Sequence, residues 1–195
     1  MLSETIYYLT GIYISDIMKI YKIKHDHSKY KFYLQDDKDP LAVKAFSNHG
    51  DKLCDDWVPF NVFLFEGKTK EEKELRDDIN SSCFDDGLLY VSKDVAFNIF
   101  DRLNEVEVLP IHTNNKKDFK YINVINVLPS LKYHSKDELK EMFRTGKYIF
   151  DEKVINGQYI FRDKVLSSTY FVTDNFIKEF GSKFNGVVFV EAGEV

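Results

Sequence analysis

Leu88-Leu89-Tyr90-Val91-Ser92 decides the fold, followed by Val95, Ala96, Ile99, Phe100 and Leu103 at helical spacing and then by Val106, Val108 and Pro110. The apolar run is a short strand. Ser92 is the residue type whose side-chain oxygen accepts a bond from a free N–H at a helix start, and the spaced apolar residues behind it form one buried helical stripe. The alternating valines begin a second strand. The same order recurs 81 residues later: Tyr170, Phe171 and Val172 stand on the strand, Thr173 on the cap, Phe176, Ile177 and Phe180 on the stripe, and Val187 and Phe189 on the second strand. In both copies the valine before the cap lies 15 residues upstream of a strand valine. A repeated strand, capped helix, strand unit in the C-terminal half predicts an α+β fold, with mixed or antiparallel sheets and a few short capped helices.

Between the copies, Tyr121 to Val127 is strand-like, and Ser135 with Glu138 forms a capping box for a helix that runs through Thr145 to a stop at Gly146. Lys147 to Ile155 and Gln158 to Phe161 then read as a hairpin across Asn156-Gly157. Upstream, Ile12, Ile14, Ile17, Ile20 and Tyr21 fit neither the helical nor the strand period, and strand is favoured. Tyr30, Phe32 and Leu34 alternate with Lys31, Tyr33 and Gln35, a half-buried strand ending at the Asp36 to Pro40 turn. Trp57 to Phe65 is another strand, with Pro59 near its start. Gly67 to Asp78 is charged and helix-permissive, and Asp77 to Gly87 is a polar loop. This places a lobe boundary at 87/88, with a β-rich lobe over 1–87 and an α+β domain over 88–195.

A chain of 195 residues supports one full-sized core or two small lobes sharing an interface. Its 30 aromatic residues exclude a disordered chain, and its 9 Gly and 4 Pro exclude a collagen-like or Pro-rich linker protein. Cys54 and Cys83 are too few for a disulfide framework and read as reduced thiols in a cytosol. The N-terminus carries Glu4 and Asp16 and has neither a basic leading segment nor a small-residue cleavage site, so no signal peptide is expected. Apolar runs are too short for a membrane span. Between Asp51 and Tyr90, eleven acids face five bases, a net of −6 within a chain whose total is −5. Without a long basic stripe a nucleic-acid partner is not expected, while a basic protein partner is open. The bland alternative is a solvated acidic face that keeps the protein soluble.

No pattern carries strong chemistry. His25 and His27 would share a strand face, but no third ligand follows at a metal-site spacing, and no metal is expected. Neither a phosphate loop nor a dinucleotide fingerprint can be read around Gly146, Gly157, Gly181 or Gly186, so no cofactor is expected. Cys54 or Cys83 could meet a histidine in three dimensions, which leaves a small Cys/His hydrolase as the alternative function. Asp55 with Asp56, Asp77 with Asp78 and Asp85 with Asp86 are adjacent pairs, better explained as loop acids than as acid and base. Trp57 reads as a core anchor behind them; an exposed Trp would instead mark a binding hot spot.

The motif order from Leu88 onward resembles that of bacterial immunity proteins for polymorphic toxins, in particular immunity family eleven. The residues concerned are Leu88, Tyr90, Val91 and Ser92; Val106, Glu107, Val108, Leu109 and Pro110; Tyr121, Ile122, Asn123, Val124, Ile125 and Asn126; Tyr159, Ile160, Phe161 and Arg162; and Tyr170 to Asp174 leading through a helix to Gly186, Val187, Val188 and Phe189. Where the family tends to show a small apolar residue, Leu and Asp ahead of a polar turn, this chain departs with Leu128 followed by Pro129, Ser130 and Leu131. The resemblance implies a cytoplasmic, non-enzymatic protein that neutralises a secreted or contact-delivered toxin by binding it. Such a toxin is basic when it acts on nucleic acid. Asp55, Asp56, Trp57, Asp77, Asp78, Asp85 and Asp86 are then the expected partner-binding residues.

Overall fold

The computed structural model describes residues 18–84 and 87–195. The expectation for Ile12, Ile14 and Ile17 lies outside them. In chain order the first elements are β1 (Lys19–His25), β2 (Tyr33–Gln35), α1 (Pro40–Phe46), β3 (Asn61–Leu64), α2 (Lys70–Lys73) and β4 (Ser81–Phe84). Next come β5 (Leu88–Ser92), α3 (Lys93–Ile99), β6 (Val106–Pro110), β7 (His112–Thr113), β8 (Phe119–Val124) and β9 (Val127–Leu128). The chain continues through α4 (Lys136–Thr145), β10 (Tyr148–Ile149), α5 (Glu152–Ile155), β11 (Ile160–Asp163), β12 (Phe171–Thr173), α6 (Asp174–Phe180) and β13 (Val187–Glu194). Short helices and mixed or antiparallel sheets make this an α+β protein.

The unit β5-α3-β6 recurs as β12-α6-β13, and the likeness extends beyond the three elements. A 3-10 turn follows each helix, over Phe100–Arg102 and Gly181–Lys183, so helix, turn and strand start all repeat at the interval of 81 residues. The sheet orders also agree. β4-β5-β8-β6 forms one sheet, and β11-β12-β1-β13 is the consecutive interior of the order β10-β13-β1-β12-β11-β9. Registers match pair by pair: Val106 faces Val124 as Val187 faces His25, Val108 faces Ile122 as Phe189 faces Ile23, and Tyr90 faces Tyr121 as Phe171 faces Lys22. In the first unit the inserted strand, β8, follows its helix in sequence. In the second, β1 comes from the other end of the chain and completes a unit built by the last residues.

Three hydrophobic clusters hold the layers together. The first joins the inner faces of both units, with Leu89, Val91, Ile122 and Val124 from one, Ile23, Ile160, Val172 and Val187 from the other, and Ile99 and Phe176 from the two helices. Each such buried side chain contributes about 1.5–3 kcal/mol relative to exposure, so this shared layer dominates the association of the units. The second cluster fills the outer face of the first unit beneath β2-β3-β7 and α1, and the third fills the outer face of the six-stranded sheet beneath α4 and α5.

Several local expectations are corrected. β4 lies within the stretch read as a loop and pairs antiparallel with β5 across position 87, so the 87/88 boundary falls inside a hairpin. The strand read over Tyr30 to Leu34 shortens to β2 with its faces reversed: Tyr33 is fully buried and Leu34 only half-buried. The helix-permissive acidic stretch yields one turn, α2, held by a Thr69–Glu72 capping box. Asn156-Gly157 joins no hairpin; Asp151 caps α5 just before it, β10 pairs in parallel with β13, and β11 pairs with β12 and β9. Thr173 occupies the cap position of α6, but its hydroxyl donates to the Gln158 carbonyl at 2.8 Å rather than accepting from the helix.

Candidate acidic surface

A 3-10 turn over Cys54–Asp56 carries the first predicted acids, and its position is set from β6, 53 residues away. The Glu107 carboxylate accepts from the backbone N–H of Leu53 at 2.8 Å and of Cys54 at 3.2 Å, and from the Asn123 amide at 2.8 Å. Asn123 also donates to the Asp51 carbonyl at 2.9 Å, and Asn48 donates to the same carbonyl at 3.0 Å and to the Asn123 side-chain oxygen at 2.9 Å. Burial opposes the charge on Glu107, yet its bonds to Cys54, Leu53 and Asn123 prevail and hold the carboxyl below its ordinary value. A fixed negative group therefore anchors the turn.

Trp57 leaves this turn half-buried and fixed at three points. Its indole N–H donates to the Pro110 carbonyl at 2.8 Å, its ring stacks on Tyr121 with centroids 5.6 Å apart, and it meets Phe60 edge-on at 5.6 Å. It packs as part of the second cluster, as an anchor behind the acids. Asp55 and Asp56 are exposed beside it, and Val58 on its other side is 53% exposed. Asp55, Asp56 and Trp57 thus form one surface.

Asp77 and Asp78 are exposed elsewhere, after the bridge that joins Tyr30 to Arg76. The Arg76 guanidinium takes Asp78 in a two-bond grip, 2.9 Å from its Nε, and holds that carboxyl below its usual range while lying 4.9 Å over the Tyr30 ring. The Asp77 carbonyl accepts from Lys117 at 2.8 Å. No hydrogen bond or ion pair among the described residues joins Asp77 or Asp78 to Asp55 or Asp56. Asp85 and Asp86 lie outside the described residues. Glu107 and Asn123 escaped the sequence reading because a single acid in Val-Glu-Val and a single amide in a strand look like ordinary alternation.

Both cysteines are free. Cys54 is exposed and donates to Asp55, and the Glu107 carboxylate beside it pushes its thiol up to about 11, which keeps it protonated at neutral pH. Cys83 is buried and donates to the Ile23 carbonyl at 3.5 Å. A cavity of about 960 Å³ between α4 and β13 is lined by His134, Glu138, Tyr148 and Glu194 among others, and one of about 610 Å³ by His49, Ser168, Thr169 and Arg162; neither lining includes a cysteine. Arg162, though it reaches the second cavity, has its five N–H groups turned to Val124, Asn48 and Ser167 carbonyls, the Asn123 amide oxygen and the Tyr170 hydroxyl. It has no donor left for a ligand. No group of three or more metal-ligating side chains comes together among the described residues, and no described helix is long and apolar enough to cross a membrane. No family model matches the chain, and no curated protein matches it.

Proposed function

We propose that the protein is a cytoplasmic immunity protein that binds and neutralises a delivered toxin with a basic surface, and that the acidic face around Asp55 and Asp56 is the contact. The reading rests on the resemblance from Leu88 onward and on one observation: two exposed carboxylates and a partly exposed apolar rim sit on a turn that Glu107 and Trp57 hold in place. A pre-ordered surface loses little entropy on docking, and opposite charge speeds encounter and favours the right partner. Catalysis is not needed for this role. Inhibition requires only a complementary surface over the toxin's working parts.

The test first asks whether a toxin gene adjoins this protein's gene, and then uses the domain that gene encodes. Co-expression should restore growth to cells making that domain. Replacing Asp55 and Asp56 together by Lys should slow association by roughly tenfold or more at low salt, with the difference shrinking as salt screens the field. Restored growth with unchanged rates at both salts would move the contact elsewhere, and failure to bind or protect would reject the function.

A further inference from the structure

Because the two units match in register, each position in one has a counterpart in the other that shows what its packing requires. At two inner sites, three positions in all, the second unit departs from an apolar pattern. Arg162 and Tyr170 stand where the first unit has Cys83 and Leu89, and His25 stands where it has Val124. The first departure is fully accounted for, since every guanidinium N–H has an acceptor. The second is not. His25 is only 6% exposed, its Nε2 faces the Tyr30 carbonyl at 3.1 Å, and its Nδ1 is buried with no partner. We propose that β1 is a pH-sensitive closing strand, released toward acid when His25 takes a second proton.

With Nε2–H donating to Tyr30, the neutral ring leaves Nδ1 as a bare acceptor in an apolar setting. Protonation turns it into a charged donor facing nothing that can accept. Among the described residues the one nearby counter-charge, Asp26, is engaged elsewhere. Val187 is opposite on β13, Phe32 lies 5.5 Å away, and His27 stands edge-on at 4.8 Å. The Asp26 carboxylate is turned to Ser28 at 2.6 Å and to Lys29 at 3.4 Å. Lys31 pairs with Glu66 and Arg76 with Asp78, while Lys24 belongs to the opposite face of the strand. Burial holds the imidazole below its ordinary value, a preference that the Tyr30 carbonyl and Asp26 oppose and His27 reinforces.

The sign follows from linkage. Below the imidazole's ordinary value an opened strand binds a proton that the closed one resists, so each pH unit favours opening by about tenfold until the closed-state value is reached. β1 is the strand on which such a group has most effect. It lies between β12 and β13, it joins them in the sheet, and both of these partners lie at the far end of the chain. This inference does not depend on the partner.

Hydrogen exchange on the full-length protein supplies the test, with β6 and β8 as the internal reference. Between about pH 7.5 and about pH 5, corrected for intrinsic exchange, protection of β1 and β13 should fall by roughly tenfold more than that of β6 and β8. His25→Val, which installs the first unit's residue, should abolish the excess loss; His27→Ala should retain it. Equal losses in the two units, or an excess that survives His25→Val, would overturn the proposal. Should that variant not fold, the His25 ring is titrated by NMR in the unaltered protein: a value below that of an ordinary histidine supports the switch, and one at or above it rejects it.

Discussion

Cys54 and Glu107 show how a residue's chemistry is set from a distant part of the chain. The thiol lies on an exposed turn, where it would ordinarily react as a free cysteine does, yet the carboxylate that receives the turn's N–H groups also faces the sulfur and stabilises its protonated form. Removing that charge should lower the thiol from about 11 toward its ordinary value. Glu107→Gln preserves shape and keeps an oxygen acceptor for Leu53, so alkylation of Cys54 by iodoacetamide at about pH 8 should accelerate by roughly tenfold or more. An unchanged rate would mean that Glu107 does not govern the thiol. Nothing in Val106-Glu107-Val108 announces this role, because an acid on the solvent side of a strand is what alternation already predicts. Arg162 was equally silent in sequence, since its acceptors are mostly carbonyls and a carbonyl carries no residue identity.

Elements were legible where their signals are local. α4 begins at Ser135, whose hydroxyl accepts from Glu138 N–H at 3.2 Å, and ends at Gly146 with φ of 66°; both ends are written in adjacent residues. Glu138 reaches back to His134 N–H, one residue before the cap. β4 was illegible because its Ser81, Ser82 and Cys83 read as turn residues, whereas tertiary partners satisfy them: Ser82 accepts from Tyr33 N–H at 3.0 Å, and Ser81 donates to the Asn185 carbonyl at 3.0 Å. Tyr33 reversed the expected face of β2 because its ring meets Phe119 and its hydroxyl meets Asn115 inside the fold. The junction between units places sharp demands on sequence, and Gly186 shows one of them. Gly186 has φ of 117°, and a Cβ there would collide with the Ser81 carbonyl oxygen. Gly157 has φ of 79° with open space around it. Alanine at Gly157 should therefore cost only the backbone strain, about 1–3 kcal/mol, whereas at Gly186 the collision adds to it. Urea unfolding of both variants decides the matter, since equal losses would show that the contact with Ser81 is not tight.

Across the whole molecule, repetition of the unit and its closure by β1 make opposite demands. Two similar units suggest two separable bodies, but the largest hydrophobic cluster belongs to both, and the strand that completes the second unit precedes the first in sequence. A unit that cannot bury its inner face without the other has no stable state of its own. Ile99 on α3 and Phe180 on α6 occupy equivalent positions, one in each unit, and both contribute to the shared cluster. Ile99→Ala should lose about 2–5 kcal/mol and Phe180→Ala about 3–5 kcal/mol through lost burial and the cavity left behind. Near neutral pH, each substitution should shift one cooperative transition, seen alike by circular dichroism and by fluorescence of Trp57, which lies in the first unit's outer cluster. The decisive variant is Phe180→Ala, which alters the second unit while the probe sits against the first. A shift in the fluorescence midpoint equal to that in circular dichroism shows the units unfolding together, and an unmoved fluorescence midpoint would show two bodies that fold apart.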